Sequence, residues 1–555
     1  MGRFVNALVL ILPVIAQCSY LSQREELLAE DASFATGSQI QLEGKEWAVN
    51  DVLMSFKGKE IEKGVNTSVY PPNMHFFQAK PLIEQSEVFK IIKLMPKGAS
   101  LHLHADSITD IDWLVKNVTY RPHCYMCYTK NGGMLSFRFS EEAPPDDEQC
   151  SWNLVASERA AAANASLFDE ELYRQMTLVV DDPQTAYTDQ NNIWTHFLDY
   201  FAINSGLMNF ADVVEDRYYE GLRQFHEDGV QFVEVRSHLT PLYELNGTTH
   251  DEEYLIKTLE AANRAFLADH ADSMGFKVIT GQVRAFTKPD MENRVRLSID
   301  LRRKYPDFVS GFDIDGHENK PNPLLYFWEE LQIPSHEGVD LPYYLHASET
   351  NWQGTFADEN LFDALLLNAV RIGHAYAAVK HPVVLKQIRD RDIPIEISPI
   401  SGQVLMHFAD IRNHPGAYLL SRGYPVVVTS DNRACWGASP ASHDYYEMFM
   451  GIASAKADLR LLKQLTRDSI KYSSLSDVQK VKCTNIWTSK WNDFLDQVLE
   501  MYNVTNWEDY IPAESTQTTR TPVVRDAASS ISLSFTFVVL MSVFLCLRHV
   551  RLVSA

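Results

Sequence analysis

Short apolar runs that end in polar or ionisable residues recur along the middle of the chain, and longer segments of helical periodicity separate them. The runs are Ala99 to His104, Gln231 to Arg236, Lys277 to Gln282, Val309 to Gly316, Tyr343 to His346, Ala369 to His374, Ile393 to Ser398 and Pro425 to Ser430. Strands alternating with helices in this way predict an α/β protein, and eight of them fit a (β/α)8 TIM barrel whose strand C-termini share one mouth. Doubly wound sheets show the same alternation. The barrel is favoured because chemistry-bearing side chains collect at one end of so many strands.

The barrel is expected over residues 87–510. Ahead of it, residues 19–86 are mostly polar with Glu/Lys-rich turns and read as an N-terminal helical arm, accessory or oligomerising. Residues 117–178 contain Cys124, Cys127, Cys150 and Pro144-Pro145, which suggests an inserted subdomain stapled by one local disulfide, with an odd thiol over. Residues 511–526, rich in Thr and Pro, read as a stalk.

The two ends change the picture. Residues 1–18 carry Arg3, an apolar stretch from Ala7 to Ala16 and a small-x-small site at Ala16-Gln17-Cys18, the pattern of a secretory signal peptide. Residues 527–547 are uncharged and rich in Leu, Val and Phe, long enough to cross a hydrocarbon core of ~30 Å. Arg548, His549 and Arg551 follow, which favours a single-pass transmembrane segment with the bulk of the protein outside; a cleaved lipid-anchor signal is the rival. Asn-x-Ser/Thr sites at Asn66, Asn117, Asn164, Asn246 and Asn503 suit a glycoprotein at the cell surface or outside the cell. The formal charge of −23 repels polyanions and argues against a nucleic-acid partner, while leaving a small neutral substrate indifferent.

Candidate chemistry sits at the strand ends. His102 and His104 lie two apart on the first strand and so face the same side. His346 closes the fifth run with Glu349 three residues on, His374 closes the sixth, and Asp431 follows the eighth. Any one of these is unremarkable as a loop residue, but a closed barrel brings them round one mouth. Three imidazoles and a carboxylate are a good donor set for Zn2+, which lowers the pKa of a bound water toward ~7. A fourth imidazole and Glu349 are then free to act as base and acid. The cytidine-deaminase pattern is excluded, because Cys124-x-x-Cys127 lacks its adjoining Pro and an accompanying His-x-Glu.

The ordered stretches Met95-Pro96-Lys97-Gly98 into His102-x-His104, Leu341-Pro342-Tyr343 into His346-Ala347-Ser348-Glu349, Gly373-His374 and Ser430-Asp431 resemble the motifs of adenosine deaminases. Tyr120-Arg121-Pro122-His123-Cys124, Trp352-Gln353-Gly354-Thr355, Arg412-Asn413-His414-Pro415 and Lys456-Ala457-Asp458-Leu459-Arg460 are similar to the secreted branch, the adenosine deaminase growth factors. The resemblance implies zinc ligands His102, His104, His346 and Asp431, an acid Glu349 that protonates purine N1, and a base His374. It implies substrate contacts at Gly316, Trp194, Asn432 and Asp106, a disulfide between Cys127 and Cys150, and a homodimer formed through the arm. The function it implies is zinc-dependent hydrolytic deamination of adenosine and 2'-deoxyadenosine.

The chain also departs from that family. Ser348 and Ala375 stand where Gly is usual, Asn432-Arg433 replace Asp-Pro, and Ala105 and Val283 replace a pocket Asp and His. These departures support a second reading, a growth factor that keeps the deaminase fold, binds a cell-surface receptor and has lost turnover.

Overall fold

The computed structural model describes residues 19–130, 133–320 and 322–512. The chain divides into two units, residues 36–510 and the two ends, 1–35 with 511–555. Within the end unit, residues 19–33 form an exposed helix. The signal-peptide and transmembrane expectations, and nearly all of the stalk, fall outside the described residues. No described helix is long and apolar enough to cross a membrane.

All eight expected strands form. They are β1 (Gly98–His104), β2 (Val230–Ser237), β3 (Phe276–Val283), β4 (Val309–Asp315), β5 (Tyr344–Ala347), β6 (Arg371–His374), β7 (Ile395–Ile397) and β8 (Val426–Val428). β1 to β4 make one parallel sheet and β5 to β8 another, each in sequence order. Two isolated parallel bridges, Phe312 to Tyr343 and Leu103 to Asp431, link the two sheets at both seams. Backbone bonds reinforce them, Phe312 N–H donating to Pro342 O at 2.9 Å and Asp431 N–H to His102 O at 3.0 Å. Several strands are shorter than their apolar runs. β7 and β8 begin only after Pro394 and Pro425, which have no N–H to give the ladder. Both faces of the strands are buried, so the runs read as continuous and not as alternating.

The insertion carries a three-stranded antiparallel sheet of Cys124–Tyr128, Leu135–Phe139 and Asn153–Leu154, and Cys127 is bonded to Cys150. Cys124 stays a buried thiol. The helix Gln190–Met208 lies on this sheet so closely that a Cβ at Gly206 would sit 1.8 Å from Phe137 O. That contact seats the helix whose first turn brings Gln190 and Trp194 toward the barrel mouth.

From residue 46 onward the expected arm lies against its own body. Along the helix Glu46–Thr67, Glu46 accepts from Trp491 Nε1 at 2.7 Å and pairs with Lys463 at 2.6 Å. Lys57, fully buried, donates to the carbonyls of Ser454 and Ala457 at 3.0 and 2.8 Å.

The seam between the two half-barrels leaves no room at Gly311, where a Cβ would meet Pro342 O at 2.2 Å and the Tyr344 ring at 2.7 Å. Backbone cannot step aside without opening the β4 to β5 bridge. Gly311→Ala should therefore cost at least about 1–3 kcal/mol, as overpacking in a dense interior does. Urea unfolding reads this; an unchanged midpoint would mean that the seam is not held as described.

Candidate active site

Strand geometry brings the expected residues together. His102 and His104 point from β1 to the same side, His346 from β5 and His374 from the last position of β6, while Asp431 follows β8 and Glu349 the turn after β5. All six are buried.

The imidazoles are oriented from behind by carboxylates. His102 Nδ1 donates to Glu396 at 2.9 Å and His346 Nδ1 to Asp313 at 2.8 Å, and His104 Nδ1 lies 3.4 Å from Asp315. A proton held on Nδ1 leaves Nε2 as a lone pair facing the centre. His102 Nε2 is buried without a hydrogen-bond partner. Asp431 completes the convergence, its Oδ1 lying 3.6 Å from His102 Nε2 and 3.3 Å from His104 Nε2, and its Oδ2 accepting from Ser401 Oγ at 2.5 Å. Ligand atoms of His102, His104 and Asp431 fall within 4.8 Å of one another, as do those of His102, His346 and His374. A buried nitrogen lone pair with no donor, beside a carboxylate and further imidazoles, is what a divalent cation would satisfy. The residues therefore fit a metal ion.

Behind these imidazoles lies a dry lattice of opposite charges that the sequence reading did not anticipate. Glu396 on β7 accepts from Arg236 Nη2 and Arg371 Nε, both at 2.7 Å. Arg236 Nε also donates to Asp313 at 2.7 Å, and Arg371 pairs with Glu234. Glu318, equally buried, clamps the turn after β5 by accepting from the backbone N–H groups of Ser348 and Glu349 at 2.9 and 3.0 Å.

Glu349 faces two rings. Its Oε1 lies 3.9 Å from His374 Nε2 and 3.4 Å from His407 Nε2. Burial lowers the pKa of His374 to about 4, which keeps that ring neutral and basic near pH 7. Burial pushes the Glu349 carboxyl up, and His374 and His407 pull it down to about 2. His374 is neutral near pH 7, so its charge does not hold the carboxyl down there.

This geometry agrees with what the chain is similar to. Residues 171–486 match the family model described as Adenosine deaminase, and residues 12–92 match Adenosine/AMP deaminase N-terminal. Adenosine deaminase 2 of Homo sapiens is 44% identical over 476 residues, covering 86% of this chain and 93% of that protein. The chain belongs to the adenosine deaminase family. An adenosine deaminase of the sand fly Lutzomyia longipalpis is 39% identical over 480 residues, again 86% of this chain and 93% of that one. Among solved structures, an amidohydrolase from Burkhoderia ambifaria with bound Zn shares the fold, with TM-score 0.51, 17% identity and coverage of 74% of this chain and 95% of that one.

Against that family, several expected substrate contacts prove to be engaged within the chain. Asn432 Nδ2 donates to Asp431 Oδ1 at 2.9 Å, and Ser107 Oγ donates to Asn432 Oδ1 at 3.4 Å. Arg433 does not face the site: its Nη2 donates to Ile108 O and to Gln224 Oε1, both at 2.6 Å. The low pKa of His374 thus comes from burial and not from that guanidinium. Trp194 is buried, stacked on His317 at 4.4 Å, with its Nε1 unpartnered. Asp106 is half-exposed in the turn after β1, and the carbonyl of Gly316 accepts from Arg284 Nε at 3.2 Å. Val283 packs toward Gly316, where a Cβ would meet it at 3.1 Å, and Ala105 lies buried beside His104.

The two departures from glycine have a backbone cost. Ser348 and Ala375 adopt φ of 66° and 48°, the left-handed region that glycine enters freely. Ser348 Oγ is also buried without a partner. Relief of the left-handed backbone, about 1–2 kcal/mol, and of the stranded hydroxyl, about 1–3 kcal/mol, outweighs the ~0.5–1 kcal/mol of extra chain entropy that glycine brings. Ser348→Gly should stabilise the protein by at least about 1 kcal/mol in chemical denaturation. A loss of stability would show that the hydroxyl has a partner in solution.

Proposed function

We propose that this protein is a zinc-dependent hydrolase that converts adenosine, and 2'-deoxyadenosine, to inosine or its deoxy form with release of ammonia. The observation that carries the proposal is the convergence of His102, His104 and His346, each backed by a carboxylate at Nδ1, on Asp431, with Glu349 and His374 beside them. His102, His104, His346 and Asp431 would hold the ion. Bound there, zinc would supply Lewis acidity that makes a water acidic at neutral pH.

The remaining steps fall to the chain's own residues. Glu349 donates a proton to purine N1, which drains electron density from C6 and opens it to attack. His374, neutral because it is buried, takes a proton from the attacking water and returns it to the leaving nitrogen. Water adds at C6, ammonia departs, and the proton left on the C6 oxygen returns to Glu349 as the carbonyl forms, so the proton count closes. Trp194, Gly316, Asp106 and Asn432 are the proposed surroundings of the nucleoside, with the indole N–H of Trp194 lacking a partner within the chain.

The Cys127 to Cys150 bond supports passage through an oxidising compartment, and with it an extracellular or cell-surface location. The homodimer and the membrane tether belong to the same proposal. The receptor-binding growth factor is the second reading, favoured by the altered pocket, in which the Asn432 amide is already engaged with Asp431.

Purified full-length protein should contain about one zinc per chain and turn adenosine into inosine. Glu349→Gln should keep the metal and lose most turnover, since an amide cannot give N1 its proton. Full activity in metal-free protein would defeat the metal role; bound zinc with no turnover would favour the growth-factor reading.

Asn432 still carries a donor, so the residue missing there relative to the family should matter modestly. Asn432→Asp is expected to change kcat/KM by less than about a hundredfold, or ~2.7 kcal/mol in the barrier. A larger gain in steady-state assays would show that the natural chain is crippled at this position.

A further inference from the structure

His407 lies outside every motif that identified the site, yet it is buried against the acid. It leaves the turn after the helix Pro399–Val404, the same helix that supplies Ser401 to Asp431. Its carbonyl accepts from Asn351 Nδ2 at 2.7 Å, which ties it to the turn carrying Glu349, and its ring packs on Tyr376 at 5.1 Å. Its Nε2 lies 3.4 Å from Glu349 Oε1, and both atoms are buried with no other hydrogen-bond partner.

The hydrogen bonds around His407 decide which nitrogen carries the proton. Gln190 Nε2 lies 3.3 Å from Leu405 O and 3.3 Å from His407 Nδ1. A carbonyl oxygen can only accept, so the Gln190 atom facing it must be the NH2. The same NH2 then donates to Nδ1, which must be the lone-pair nitrogen of the neutral ring. The proton therefore sits on Nε2, the nitrogen 3.4 Å from Glu349 Oε1, and neither atom has another partner.

We infer that His407 is a positioning residue for the acid, holding Glu349 by an Nε2–H donor on Oε1 so that the transferable proton is confined to Oε2. This rests on the deaminase reading of Glu349. When the Oε2 proton passes to purine N1, the carboxyl becomes a carboxylate, and the Oε1 bond changes from neutral to charge-assisted. A bond that strengthens only as the proton moves lowers the barrier without tightening ground-state binding. The helix Gln190–Met208 thus governs the acid through Gln190 and His407, as well as placing Trp194.

His407→Phe keeps a ring against Tyr376 but removes the donor, whereas His407→Gln offers an amide N–H near the place of Nε2. The Phe variant should lose about ten- to a hundredfold in kcat, as loss of a charge-assisted bond implies. Its KM should stay within about threefold, with zinc content and melting temperature unchanged. The Gln variant should retain kcat within about threefold. Unchanged kcat in the Phe variant, equal losses in both variants, or a loss confined to KM would each overturn the inference. Independently of turnover, ¹⁵N spectra of histidine-labelled protein, assigned against His407→Phe, should show a neutral His407 protonated at Nε2. A proton on Nδ1 would overturn the inference even if the protein proved inactive, whereas the Nε2 tautomer in a protein without turnover would leave the geometry standing and sink the deaminase reading.

Discussion

The Glu396 carboxylate, buried at the heart of the barrel, is the constraint around which the rest is arranged. One oxygen takes the proton side of His102 and a prong of Arg236, and the other takes Arg371. Removed from water, such a group is costly unless every lone pair is met. Here the partners come from β1, β2 and β6, so satisfying one charge fixes the mutual position of half the barrel. Arg236 passes the constraint to Asp313, and Asp313 passes it to His346. The inward-facing nitrogens are aimed because the far sides of their rings are spoken for.

Chain direction at the mouth is the second constraint. Ser348, His374, Ala375 and Asp431 all adopt positive φ, which non-glycine residues enter at an energetic cost. The sharp reversals turn the strand-end side chains inward in place of continuing along the barrel axis. Clamping groups hold them: Glu318 on the two N–H groups after β5, and the Asp431 N–H on His102 O across the second seam. Rigid strands and tightly held turns together give a site whose groups cannot drift apart.

How much of this was legible in the chain differs by residue. His102 and His104 could be placed because two residues on one strand share a face, and His346, His374 and Asp431 because each ends or directly follows an apolar run. The motif resemblance named Glu349 and the Cys127 to Cys150 pair, and the structure joins that pair. Arg433, one of the departures from the family pattern, turns away from the site to Ile108 and Gln224. Residues 46–67, expected as part of an arm, lie against the C-terminal helices of their own body. Glu234, Arg236, Asp313, Glu318 and Glu396 carried no local signal beyond being charged residues in or beside apolar strands. That is itself a hint, since a charge inside a buried run must find a partner.

By itself the sequence determined the strand pattern, the fold class and the set of metal-capable donors, because these depend on local periodicity and on chemistry carried by single residues. It could not determine which nitrogen of each histidine faces the centre, what holds Glu349, or where Arg433 points. Those depend on partners far away along the chain, such as Glu396 for His102 and Gln190 for His407. Only closure of the barrel and seating of the helix Gln190–Met208 bring them within hydrogen-bond reach. Hydrogen-bond direction in a dry interior is a property of pairs, and no pattern along one strand encodes the other member.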